Sequence, residues 1–484
     1  MSPASPTTDL TRIVARWAEA TPAKVALHWE GVDLTYADLW KRVEAVAAVL
    51  DVKKGERVAY LGYNDPLQIF LLFALARRGA LLVPLNWRLT PSEHKEILAD
   101  CAPRWLFCGA EFEAQGKDLG VPLGNLEGSP VPFTATGTED DDVLVVYTSG
   151  TTGKPKGAVL TQAALVWNAL NSFHAHDLVQ ADHVLTALPM FHVGGLNIQT
   201  LPALFAGATV TLHRKFEPAA WLDAVATRKP TLSLLVPAAM RAVTEHPAWA
   251  ATDLSSLRML STGSMVVPEA LIRAFHARGV PVGQVYGATE TAPIAIVLRA
   301  EDAMRKPGSA GKPSPHCEAK LVEGEVWIRG PAVMRTYWND PSGLTPDGWF
   351  RSGDLARIDE EGFWWIVGRS KDIIISGGEN IHPAEIENVL AEVPAIAEAA
   401  VVGVADPKWG EAACAAVVLK PGAALVEPEL RKLFEERLAR YKHPRRIVPL
   451  ASLPKNALGK VQKAELRAEL GRLLDGQRDG AQPL

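Results

Sequence analysis

Residues 147–157 read YTSGTTGKPKG, directly after the apolar run Val143–Val146. Gly150, Gly153 and Gly157 allow backbone N–H groups to turn toward an anion. Thr148, Ser149, Thr151 and Thr152 add short hydroxyl donors, and Lys154 and Lys156 bring positive charge on long stems. The chemistry this suggests is the cradling of a phosphate. Yet the stretch is not a P-loop, because Gly150 and Gly153 are too close together and Pro155 follows Lys154. It also lacks the Gly-x-Gly-x-x-Gly of dinucleotide-binding turns. By itself it reads equally well as a flexible surface turn.

Other chemistry-bearing residues are spread along the chain. Thr289 and Glu290 close YGATE (286–290), Asp354 lies in GWFRSGDL (348–355), and Lys460 ends PKNALGK (454–460). Arg369, Lys371, Gly377 and Gly378 fall within GRSKDIIISGGENIHPAEIE (368–387), and His192 lies in PMFHVGG (189–195). Each has a bland reading: Asp354 a turn aspartate, Lys460 a solvated lysine, the paired glycines an ordinary turn, His192 a packed ring.

The elements that must position these residues alternate in type over the first 300 residues or so. KVALHWEG (24–31), RVAYLGY (57–63), VLVVY (143–147), ATVTLH (208–213) and LSLLV (232–236) read as strands. Between them lie amphipathic segments such as 161–173, where Thr161 is a candidate N-cap and Leu165, Ala169 and Phe173 recur four apart. This pattern predicts an α/β body with largely parallel sheets. The Gly/Pro/acidic stretch 115–142 reads as a surface connection. After about residue 318 the texture becomes α+β: hairpins in AKLVEGEVWIRG and ARIDEEGFWWIVG, a helix in HPAEIENVLAEV, strands in AAVVGVA and ACAAVVLK, and a charged helix near 427–440. The domains are expected at 1–368 and 373–484, joined by a hinge at 369–372.

A chain of 484 residues is too long for one core. With 48% hydrophobic and 22% charged residues its composition is that of a globular protein. A formal net charge of −5 gives no footprint for nucleic acid. Cys101, Cys108, Cys317 and Cys414 have no zinc-type spacing and read as reduced, partly buried residues, in keeping with a cytoplasmic location. Neither a secretory signal nor an apolar run long enough for a membrane span is expected. Composition suits a homodimer as well as a monomer.

In order and spacing, YTSGTTGKPKG, YGATE, GWFRSGDL, the 368–387 stretch and PKNALGK resemble the adenylate-forming superfamily of acyl-CoA synthetases, peptide-synthetase adenylation domains and luciferases. LTYADL (34–39), RRGALLVPLN (77–86), PMFHVGG and RLARYKHPRRI (437–447) support the match, which covers essentially the whole chain. The resemblance implies a large N-terminal body of parallel and mixed sheets flanked by helices, with a β-barrel-like part, and a small mobile α+β C-terminal domain. It also implies two half-reactions. A carboxylate attacks the α-phosphorus of ATP to give an acyl-adenylate and pyrophosphate, and a thiol then displaces AMP.

Roles follow from that resemblance. Thr148, Ser149, Thr151, Thr152 and Lys156 would hold the outer phosphates. Glu290 would hold Mg²⁺, with Thr289 on the phosphates, since magnesium takes oxygen ligands and keeps several waters. Tyr286, Gly287 and the STGSM segment (261–265) with Gly263 would wall the adenine. Asp354 would accept from the ribose hydroxyls, and Arg369 would reach the ribose or α-phosphate. Lys460 would bridge the attacking carboxylate and the α-phosphate, where charge grows in the transition state. The small domain would swing about Lys371, bringing Gly377 and Gly378 to line the path of the CoA pantetheine.

His192 would sit beside the acyl carboxylate, with Val193, Gly194, Gly195, Leu196, Val236, Met265, Ala288, Ala292 and Ile294 around the acyl group. MFHVGGL lacks the aspartate that pairs a substrate ammonium in amino-acid-activating relatives, so a hydrophobic aryl or medium- to long-chain acid is expected. With no carrier domain after residue 484, free CoA is the expected acceptor. Loading of a separate acyl-carrier protein is the alternative. Arg440, Lys442, Arg445 and Arg446 read either as a face for the CoA phosphates or as a solvated surface.

Overall fold

The computed structural model describes residues 10–127, 134–149, 155–264, 267–376, 379–407, 409–456 and 459–478. The chain forms two compact units. The larger comprises Met1–Val267, Leu271–Lys320 and Trp327–Ser352; the smaller comprises Pro268–Ala270, Leu321–Val326 and Gly353–Leu484. The segment 369–372, expected as a hinge, falls inside the smaller unit.

Two sheets build the larger unit. In the first, the parallel strands Trp105–Cys108, Arg57–Leu61, Leu81–Leu85 and Asp142–Ser149 are followed by the antiparallel Pro155–Thr161 and the edge strand Thr336–Tyr337. Its strands do not alternate in hydropathy because both faces are covered. Val58 and Tyr60 enter the main core with Phe73, while Ala59 and Leu61 pack on the opposite face with Ile97 and Leu98. The second sheet has nine strands. Its parallel centre runs Val282–Tyr286, Met259–Gly263, Leu232–Leu234, His183–Thr186, Thr209–Leu212, Val25–Trp29.

The order of this second sheet matters for function. From His183–Thr186 the chain goes to Thr209–Leu212 on one side, then crosses back to Leu232–Leu234 on the other. Such a reversal opens a crevice at the carboxyl ends of the strands, where open α/β sheets bind ligands. The segments 187–195, 235–240, 263–264 and 287–292 all follow carboxyl ends of these central strands.

Helices fill the space between the sheets. Pro66–Arg78 is buried along nearly its whole length, starts at an Asp65 cap with Pro66 in its first turn, and stops at Gly79 with φ +64. Gln162–His176 begins at Thr161, whose Oγ1 accepts the N–H of Ala164 at 3.0 Å. A cap of this kind is worth about 1 kcal/mol.

The smaller unit carries a five-stranded sheet built on the long antiparallel pair Ile396–Asp406 and Gly410–Leu419. Val401, Ala413 and Ala415 face the helices Pro383–Ala391 and Glu427–Arg437; Ala400, Val402 and Cys414 face Lys463–Arg478. The same unit holds the ladder in which Asp354 lies opposite Arg369.

The expected strands are present as Val25–Trp29, Arg57–Leu61, Asp142–Ser149, Thr209–Leu212 and Leu232–Leu234. The stretch expected to carry hairpins forms the strands Glu318–Val322, Glu325–Arg329, Phe350–Ile358 and Trp364–Arg369. Among the described residues no helix is long and apolar enough to cross a membrane.

Candidate active site

In the larger unit the strands Asp142–Ser149 and Pro155–Thr161, which flank the hydroxyl-rich stretch, pair antiparallel. Thr148 pairs with Lys156 in register, and the Thr148 hydroxyl donates to the Lys156 carbonyl at 3.3 Å. Ser149 closes the first strand as backbone. Thr151 and Thr152 lie outside the described residues, as do Met265, Gly377 and Gly378.

Lys156 reaches across the sheet edge. Its Nζ is 2.9 Å from Asp340 Oδ2 and 5.1 Å from the centre of the Tyr337 ring. Hydrogen bonds from Ser342, and then from Lys156, hold the Asp340 carboxyl well below the usual carboxylate range. Tyr337 in turn donates its hydroxyl to Glu290 Oε1 at 2.6 Å. Burial, with the Glu290 carboxylate beside it, pushes the Tyr337 phenol well up, so it stays a donor. The backbone adds a tie, Met334 N–H to the Glu290 carbonyl at 2.7 Å. Lys156 and Glu290 thus belong to one connected group spanning both sheets. Sequence reading missed Tyr337 and Asp340, for which RTYWND offers no spacing signal.

Thr289 and Glu290 occupy a single 3₁₀ turn and are 5% and 8% exposed. Among the described residues no group of three or more His, Cys, Asp or Glu side chains could hold a metal alone. A lone, oriented and largely buried carboxylate fits magnesium arriving with phosphate oxygens and water as its remaining ligands. Glu290 would hold it, and its charge would offset that of the phosphates.

Gly263 and Gly287 have a cause in the protein itself. A Cβ on Gly263 would lie 2.3 Å from the Val285 carbonyl, and one on Gly287 would lie 1.8 Å from that of Pro293. Neighbouring backbone therefore demands both glycines. Tyr286 ends the strand between them and is half-buried.

On the acyl side, the loop after Thr186 is pinned from beneath. Asn64 donates to the carbonyls of Leu188 and His213 and accepts the Met190 N–H at 2.7 Å, while Gln68 donates to the Met190 carbonyl. His192 caps the short helix Val193–Asn197, its Nδ1 accepting the Gly194 N–H at 3.0 Å. With Nδ1 an acceptor, the neutral ring carries its proton on Nε2, a donor suited to a carboxylate. Gly195 is obligatory, since a Cβ would sit 2.2 Å from the Pro189 carbonyl; at Gly194 the nearest atom is His192 Nδ1, 3.2 Å away.

Ala288 is half-buried, and its N–H donates to Thr291 Oγ1. Ala292 is fully buried in the main core, and Val193 nearly so. Asn168 binds the Asn197 carbonyl and the Ile294 N–H, and Asn171 binds the Ile294 carbonyl. A groove of about 400 Å³ lined by Glu30, His213, Arg214, Lys215 and Arg228, among others, contains none of the predicted site residues.

The smaller unit brings the remaining charges together. Arg369 Nε is 2.8 Å from Asp354 Oδ1. Lys371 sits on the single turn Ser370–Asp372. Lys460 follows Gly459, at φ +78, on a tight turn where the Asn456 side chain accepts the Lys460 N–H. Its side chain has exposed surface, yet the surrounding chain desolvates the ammonium and lowers its pKa. Repulsion from Arg369 and Lys371 acts in the same direction, and Asp354 and Asp372 oppose it. Of the basic residues considered for CoA phosphates, Lys442 is paired with Glu385 at 2.8 Å and Arg445 stacks on Trp409.

Residues 14–338 match the AMP-binding enzyme family, and residues 385–460 match the AMP-binding enzyme C-terminal domain. The chain is 47% identical to an indoleacetate–CoA ligase of Aromatoleum aromaticum, over 96% of this chain and 98% of that one. It is 41% identical to a feruloyl-CoA synthase of an Amycolatopsis species, over 94% and 98%. The solved o-succinylbenzoate CoA synthetase of Bacillus subtilis, in complex with its acyl-adenylate, superposes with a TM-score of 0.87 at 32% identity, covering 95% of this chain and 98% of that one. The same synthetase has been solved with ATP and magnesium ion. The chain belongs to the AMP-binding enzyme family, within its acid–CoA ligases. ATP with magnesium and CoA are its cosubstrates.

Proposed function

We propose that the protein activates an aryl-substituted carboxylic acid with ATP and transfers the acyl group to CoA. The observation that carries this reading is the 47% identity, over 96% of the chain, to an indoleacetate–CoA ligase. A feruloyl-CoA synthase and 2-succinylbenzoate–CoA ligases, also acting on aromatic acids, stand close behind. The geometry agrees. Behind Gly194 and Gly195 the site meets Leu185, Leu188 and Leu234, all less than 9% exposed, which suits a blunt ring better than an extended chain.

In this reading His192 Nε2–H orients the acid's carboxylate, and one carboxylate oxygen attacks the α-phosphorus as pyrophosphate leaves. Lys460 offsets the negative charge that grows between the two groups. Thr148, Ser149, Thr151, Thr152 and Lys156 hold the outer phosphates; Thr289 touches them and Glu290 holds the magnesium they bring. Tyr286, with the backbone at Gly263 and Gly287, walls the adenine. Asp354 takes the ribose hydroxyls with Arg369 beside it. Val193, Gly194, Gly195, Met265, Ala288 and Ala292 form or back the acyl side. The smaller unit turns about Lys371, and Gly377 and Gly378 then line the thiol's path. The CoA sulfur attacks the acyl carbonyl and AMP leaves.

Every residue invoked belongs to one chain, so the reading requires no second copy. Four free cysteines suit the cytoplasm. The test is a panel of aryl and aliphatic acids assayed for pyrophosphate release and thioester formation. Turnover of aryl acids with free CoA is expected; turnover of aliphatic acids alone would overturn the aryl assignment. Thioester formed only on an added acyl-carrier protein would overturn CoA as acceptor.

A further inference from the structure

Directly behind Gly194 and Gly195 lies a small cavity of about 10 Å³, lined also by Leu185–Leu188, Gln199, Thr200 and Leu234. That is room for one water-sized group. Its polar lining is nearly all spoken for. The Thr200 hydroxyl lies 2.6 Å from the Gly195 carbonyl, to which it donates, and 2.7 Å from the Thr186 hydroxyl. The exception is Gln199, which is 3% exposed. Its Nε2 donates to Ser261 Oγ at 3.1 Å, while its Oε1 is buried with no partner. A buried acceptor left bare costs stability unless something supplies a donor.

We infer that Gln199 Oε1 is a specificity determinant: it accepts a hydrogen bond from an N–H or O–H on the ring of the aromatic acid. The inference rests on the aryl reading above and sharpens it, from aromatic acids in general to those whose ring carries a donor. The ring enters past Gly194, and its polar edge takes the place where one small group fits beside Gln199. A ring without the donor buries Oε1 uncompensated. A site built around a hydrogen bond rejects such an analogue more strongly than a purely apolar pocket rejects a change of size.

The test compares isosteric pairs on the full-length enzyme: indole-3-acetate with benzofuran-3-acetate, and 4-hydroxyphenylacetate with 4-fluorophenylacetate. In each pair the member bearing the donor is expected to have the higher kcat/KM by about 10- to 100-fold. Gln199→Met should bring at least one ratio within about threefold while leaving the KM for ATP unchanged. Gln199→Glu, which keeps an acceptor at the same reach, should retain the preference. The wild-type ratios need no variant to fold. Ratios within about threefold in the wild-type enzyme, with aryl acids still turned over, would overturn this inference alone. Ratios unaltered by Gln199→Met would do the same. Turnover of aliphatic acids only would instead bring down the aryl reading beneath it.

Discussion

In the larger unit Asn64, Gln68, Asn168 and Asn171 are at most 3% exposed, and each commits its amide to backbone groups of the segments around the crevice. In the smaller unit Arg369, Lys371 and Lys460 are charged and partly or largely exposed, and Arg369 is paired with Asp354. The contrast follows from what each must do. Hydrogen bonds act over a fraction of an ångström and hold loops in one place, so in the proposed mechanism the groups that orient an acid and a nucleotide would rest on buried amides. Charge acts at longer range, so a lysine on a tight turn can be presented when needed and withdrawn afterwards.

The sharpest way to break this contrast is at Lys460. Lys460→Ala should lower adenylation by about 10²- to 10³-fold, the scale for losing a transition-state charge partner. Thioester formation from supplied acyl-adenylate should be nearly unchanged, and equal loss in both half-reactions would refute the role. The sign of its pH dependence is also fixed. The ammonium is the active form and its pKa lies below the ordinary 10.5, so adenylation should fade on the alkaline side at a lower pH than a free lysine dictates. Lys460→Arg, if active at all, should lose that alkaline limb.

Removing a pin from the other unit should show up in stability instead. Asn64→Leu strands the Met190 N–H and two carbonyls, and should cost about 3 kcal/mol in denaturant unfolding. The KM for the acid should rise more than that for ATP. A smaller effect is expected at Tyr337→Phe, which frees Glu290 Oε1: about a tenfold loss, with more magnesium needed for half-maximal rate. An unchanged magnesium requirement would separate Tyr337 from the metal. Smallest should be Asp340→Asn. Its pair with Lys156 is half-exposed, so the melting temperature should hold, while the KM for ATP falls as Lys156 is released to the phosphates. A rise in that KM would mean that Asp340 aims the lysine rather than competing for it.

What could be read from the sequence divides along the same line. The donor-rich turn, the strand runs and the Thr161 cap announce themselves through local composition and period. Charged residues such as Lys460 stand out only because they sit in ordered motifs. Tyr337 and Asp340 were invisible, since their importance comes from an edge strand pairing across a long sequence gap. Asn64, Gln68 and Gln199 look like ordinary polar residues until burial shows which of their atoms are matched. Gly263, read as part of an adenine wall, sits against the Val285 carbonyl, a cause only the sheet register reveals.

The helix Gln162–His176 starts directly after the strand Pro155–Thr161, and its Asn168 and Asn171 grip Asn197 and Ile294. In the proposed mechanism it would be a rigid spacer with a different cosubstrate at each end. Lengthening it by one residue would rotate those asparagines by about 100° away from their carbonyls. Variation in the acid is thus easier to reach through side chains lining the crevice than through the length of this rod.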